Sequence, residues 1–86
     1  MDLIEPLFPI LFTLEKNEFL LESKDFNYSH FFSMIEDITG RSHVKEICFY
    51  TKDGGDRKIG RSRKAMAIVL MYGLMNGKSL ELFLCS

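Results

Sequence analysis

Apolar positions along the chain alternate with polar breaks in a way that predicts five extended segments and two helices. Residues 7–14, Leu7-Phe8-Pro9-Ile10-Leu11-Phe12-Thr13-Leu14, are apolar but follow Pro6 and contain Pro9. Proline cannot donate to a sheet ladder, so residues 9–14 are expected to form an edge strand or an extended arm. Glu15-Lys16-Asn17 is a polar break, and residues 18–23 read as a second strand that could close a hairpin. After a polar loop, Phe31, Met34, Ile35 and Ile38 recur at helical spacing, with Asn27 or Ser29 as cap and Gly40 as stop. The polar side of that helix carries Ser33, Glu36 and Asp37.

Residues 44–51 read as a strand, built on the run Ile47-Cys48-Phe49-Tyr50. Lys52-Asp53-Gly54-Gly55-Asp56 is the clearest turn, and Arg57-Lys58-Ile59 returns as a short strand. Ser62 is placed to cap a second helix, residues 64–75, that is apolar nearly all round. Such a helix is either buried or carries a docking surface. Asn76-Gly77-Lys78 ends it, and Leu80, Leu82 and Leu84 alternate along a last strand. Strands with helices on one face define an α+β open-faced sandwich, here expected as a single domain over residues 1–86, with 1–18 as an N-terminal arm or hairpin.

Composition narrows the classes. With 86 residues there is room for one domain, and 47% hydrophobic residues are enough to build a core. A net charge of −1 offers no global attraction to nucleic acid or to an anionic membrane. No apolar run approaches the ~20 residues that span a bilayer, and the start, Met1-Asp2-Leu3-Ile4-Glu5, is acidic where a secretory signal is basic. The expectation is a cytoplasmic protein. Cys48 and Cys85 have no metal-ligand spacing, so no metal and no cofactor is expected. Cys48 reads as a core strand residue and Cys85 as exposed near the terminus.

Three groups of residues can carry chemistry. His30 lies near a predicted helix N-terminus, where the dipole favours an anion, but it has no neighbouring arginine in sequence. Arg57, Lys58, Arg61, Ser62, Arg63 and Lys64 gather cations around a helix start and could hold a phosphate or an acidic surface. The segment has no interleaved aromatics, which argues against single-stranded nucleic acid. The methionine-rich second helix cannot turn Met66, Met71, Met75, Leu70 and Leu74 all toward one sheet, and methionine is common at adaptable docking surfaces. No paired carboxylates, phosphate loop or nucleophile elbow stands out.

The run Arg63-Lys64-Ala65-Met66-Ala67-Ile68-Val69-Leu70-Met71-Tyr72-Gly73-Leu74-Met75-Asn76-Gly77, leading into the last strand, resembles the HPr family. These proteins are phosphocarriers of the bacterial phosphoenolpyruvate sugar phosphotransferase system. Lys64, Gly73 and Gly77 fall at matching spacing, and residues 44–50 with the glycine turn look like the family's central hairpin. The likeness covers roughly residues 19 to 84. It implies an antiparallel sheet with helices on one face. It also implies a docking surface at Met66, Ala67 and Leu70 for a protein partner, one of that system's proteins among the candidates. The family's phosphoacceptor motif, Gly-Leu-His-Ala-Arg-Pro, is missing: Asn27 or Tyr28 falls near the histidine position, His30 lies close by, and Phe31 and Phe32 follow it. The family's regulatory serine aligns with Ala65. The long final helix of the family has no counterpart in this chain. The reading is therefore a docking or regulatory module with weak or no phosphocarrier activity. The alternatives are a carrier that uses His30 and a small phosphate- or nucleic-acid-binding module that uses residues 57–64. The uncovered sheet face is expected to be closed by the N-terminal arm or by a homodimer.

Overall fold

The computed structural model describes residues 5–85. After a short 3-10 turn at Glu5–Leu7 come β1 (Ile10–Leu14), β2 (Asn17–Leu21), a second 3-10 turn at Ser23–Asp25, and α1 (Tyr28–Thr39). Then follow β3 (Glu46–Tyr50), β4 (Asp56–Gly60), α2 (Arg63–Met75) and β5 (Ser79–Leu84). One five-stranded sheet forms, in the order β2-β1-β5-β3-β4.

Two expectations about the sheet are corrected. It is mixed rather than antiparallel, because β1 runs parallel to β5 while the other neighbouring pairs are antiparallel. And β1 is an interior strand, paired with β2 on one side and β5 on the other, not an edge or an arm. Both prolines precede the first ladder residue, so neither removes a needed donor; the Leu11 amide donates to the Lys78 carbonyl at 2.9 Å. The tight reversal at Glu15 and Lys16, both with positive φ, returns the chain as β2 and closes the expected hairpin.

Alternation decides what each face carries. Ile10, Phe12 and Leu14 of β1, Ile47 and Phe49 of β3, and Leu80 and Leu82 of β5 are buried on one face. Both helices cover that face: the Phe31 ring of α1 packs edge-on to Phe12 with centroids 5.3 Å apart, and Gly73 of α2 lies against Ile10. The α1 stripe includes Phe32, which the sequence pattern left out, while Met34 and Ile38 are only half-buried. Asn27 caps α1 by accepting from the His30 amide at 2.8 Å, and Gly40 ends it in the left-handed conformation. Ser62 caps α2 by accepting from the Ala65 amide at 3.1 Å.

Gly73 sets how closely α2 approaches the sheet. A Cβ there would meet Ile10 Cγ2 at 3.0 Å, closer than ordinary van der Waals contact. Gly73→Leu should lower stability by about 1–2 kcal/mol, since overpacking outweighs the better helix propensity of leucine. The check is a urea unfolding midpoint; an unchanged midpoint would mean that Ile10 gives way.

Among the described residues, the opposite face of the sheet carries no helix. The Cys48–Cys85 disulfide lies there, joining β3 to the residue just after β5 with Cα atoms 5.6 Å apart. Neither cysteine is free, so the reading of Cys85 as a separate exposed thiol is corrected: it is half-buried and bonded.

Candidate functional site

The thirteen residues of α2 divide sharply by exposure. Ala65, Met66, Val69 and Gly73 face the sheet and are buried. Met66, only 2% exposed, belongs to the core, which corrects its assignment to the docking surface. The solvent side presents Ala67, Met71 and Met75, with Leu70 and Leu74 half-buried beside them. Met71 is 48% and Met75 59% exposed, which is unusual for apolar side chains of this size. The helix contains no acidic residue, and the exposed cations Arg63 and Lys64 open it.

At its C-terminal end this ridge runs into a cleft of about 550 Å³ between α2, the β3–β4 turn and the start of β5. Its walls include Tyr50, Lys52, Arg57, Tyr72, Met75 and Glu81. Arg57 lies over the Tyr72 ring, 5.7 Å from the centroid, with Nη1 donating to the phenol oxygen at 3.5 Å. The other edge of Tyr72 rests on Phe49, with ring centroids 5.1 Å apart. Lys52 Nζ donates to the Met75 carbonyl at 3.5 Å, satisfying one of the free carbonyls at the helix end. The hairpin tip is fixed by Asp53, whose carboxyl is held below its usual range by the Thr51 hydroxyl and then the Gly55 amide. Exposed methionine, tyrosine and arginine around a concavity are the residue types enriched at protein interfaces.

The six residues expected to bind an anion do not converge. Arg57 is on the helix side of the sheet, stacked on Tyr72, while Lys58, opposite Cys48 in the ladder, points to the helix-free side. Ser62 uses its hydroxyl as the cap. Arg61 is engaged in structure: Nη1 donates to Glu36 Oε2 at 3.1 Å and to the Val44 carbonyl at 2.9 Å, and the guanidinium lies 5.1 Å from the Phe32 ring centroid. Arg63 and Lys64 remain exposed at the helix start.

The Glu36–Arg61 pair ties α1 to the entry of β3 and the exit of β4. The Val44 amide donates to Glu36 Oε2 at 2.9 Å, and this bond first, then Arg61, holds the carboxyl below its ordinary value of 4.5 against the opposing effect of desolvation. A lowered carboxylate pKa adds stability above the unfolded value and loses it as pH falls through the folded one. Glu36→Gln should therefore lower stability at neutral pH and flatten the acid limb, with the two curves converging at low pH. Urea midpoints from about pH 7 to about pH 3 check this; parallel curves would contradict it.

His30 sits in the first turn of α1, with its side chain 47% exposed and Nε2 3.4 Å from Asp25 Oδ1. The side chain facing it is thus a carboxylate, which repels the phosphoryl group a carrier histidine must accept. His43 lines a second groove with Arg41, Lys45 and Cys85. Among the described residues no group of three or more His, Cys, Asp or Glu side chains is placed to hold a metal ion, and no helix is long and apolar enough to cross a membrane.

The sequence pattern singled out Met71 and Met75 together with Met66, but it gave the docking role to Met66, Ala67 and Leu70 and did not find the Tyr72–Arg57 wall. The i, i+4 spacing of Ala67, Met71 and Met75 was the available signal. Comparison with protein-family models and with curated proteins gives no match.

Proposed function

We propose that the protein is a docking module whose α2 ridge and adjoining cleft receive a protein partner, with no reaction carried out on the chain itself. The observation that carries this reading is the pair of exposed methionines, Met71 and Met75, on a helix without acidic residues that leads into a cleft walled by Tyr72 and Arg57. Methionine re-packs around varied apolar partners, and a Tyr–Arg wall supplies a rigid anchor. The narrower form of the proposal is an HPr-like cytoplasmic regulator derived from the sugar phosphotransferase system. The apolar side of this helix is where that resemblance places partner contacts.

A photo-crosslinking residue at position 71 or 75, expressed in the native host, tests the reading. Covalent adducts to protein are expected at both positions and not at position 33 on the exposed side of α1. Equal yields at all three would end the proposal.

The carrier reading differs in one measurable way. Incubation with phosphoenolpyruvate and the first enzyme of the system would leave a phosphoryl group on the half-exposed His30 ring. On the docking reading no mass shift appears. The scatter of residues 57–64 around β4 and the start of α2 gives a single phosphate or nucleic-acid site little support.

A further inference from the structure

We infer that the helix-free face of the sheet is the seat for α2 of a second copy of this chain, so that copies join head to tail. The inference rests on the reading of α2 as a docking face and supplies its occupant.

Strand alternation puts Leu11 and Leu20 on the open face as a directly opposed pair, and Leu20 is 52% exposed. Farther across, the Tyr50 and Phe83 rings stack with centroids 4.4 Å apart, and Tyr50 is 62% exposed. An open sheet face with these apolar groups lacks the second layer that a helix supplies in packed domains.

Charge identifies which helix fits. Thr13 of β1 stands opposite Glu18 on one side and Glu81 on the other, and Tyr50 stands opposite Asp56. These carboxylates form a row across the sheet, from β2 to β4. Four inter-strand spacings make it about 19 Å long. Glu46 adds a fourth exposed carboxylate on this face, and Lys58 is its cation. A helix of thirteen residues spans about 20 Å, and α2 is of that length. It presents Ala67, Met71 and Met75, with Arg63 and Lys64 at one end, Lys78 just past the other, and no acidic residue.

The alternatives between copies are worse. Two sheet faces meeting across a two-fold axis would set carboxylates against carboxylates, and two α2 helices would set cations against cations. Pairing the unlike faces sets the cations at the two ends of α2 against the carboxylate row of the sheet. The two faces lie on opposite sides of one sheet, so a copy cannot satisfy itself and the contact propagates from copy to copy. A net charge of −1 does little to oppose association.

Sedimentation velocity on the full chain, from micromolar to millimolar concentration at low and high salt, tests this. The average mass should climb past that of a dimer and fall back in high salt. Met71→Glu and Leu20→Glu should each weaken association about tenfold or more, and an equimolar mixture of the two should form a one-to-one complex that grows no further, because the remaining pair of faces sets glutamate against glutamate. Ala67→Glu and Thr13→Glu form a second pair should either first variant fail to fold. A monomer at every concentration, a mass that halts at the dimer, or a mixture that forms no complex overturns the inference. A monomer throughout leaves α2 open to a different protein. Association abolished by Leu20→Glu but untouched by Met71→Glu overturns the docking reading of α2 as well.

Discussion

Removing residues 1–14 should abolish cooperative folding. The segment contributes Phe8, Ile10, Phe12 and Leu14, all buried, and each such side chain is worth about 1.5–3 kcal/mol. Their sum rivals the whole net stability of a small domain, about 5–15 kcal/mol. The deletion also takes away the strand that joins β2 to the rest of the sheet. Far-UV circular dichroism and amide dispersion in a heteronuclear spectrum read the result directly. A truncated chain with a sharp thermal transition and dispersed amides would show that β1 is dispensable, against its interior position.

Breaking the Cys48–Cys85 bond should be the other large perturbation. The two residues are 37 apart in sequence. Restricting an unfolded chain over a loop of that length is worth about 4 kcal/mol in the chain-entropy account. Reduction should lower the urea midpoint of the native protein, and the double variant Cys48→Ser/Cys85→Ser should match the reduced protein and ignore reductant. Equal midpoints with and without reductant would contradict the expectation. The bond also bears on where the protein works, because disulfides persist in oxidising compartments and are rare where thiols are kept reduced. It pulls against a cytoplasmic setting, and counting free thiols in protein taken from its native source decides between them.

What the sequence made legible was local. Asn27, Ser62 and Gly40 mark helix ends by side-chain chemistry that acts within one turn, and each acts as expected. The run from Ser79 to Leu84 alternates along a single strand and needs no distant information. What failed was non-local. Pro6 and Pro9 suggested an edge because a proline was counted against the whole apolar run, whereas only the ladder residues matter, and those begin at Ile10. Nothing near Ile10 announces that its strand will lie beside β5, almost a chain length away. Arg61 looked free to hold an anion because its partner, Glu36, is supplied by another helix. Met66 and Met71 are indistinguishable in composition. Which one faces the sheet is set by the phase of α2, and Gly73 fixes that phase by admitting Ile10.

The pairing of β1 with β5 has a kinetic consequence. The strand at the centre of the sheet follows every other strand in the sequence, and each side of it waits for that strand to arrive. During synthesis the β1–β2 and β3–β4 hairpins can form early, yet they remain two separate ribbons until β5 leaves the ribosome and joins them. Contacts between distant parts of a chain slow folding. The nascent protein therefore passes through an interval with unpaired strand edges on both ribbons, when a chaperone has the most to protect.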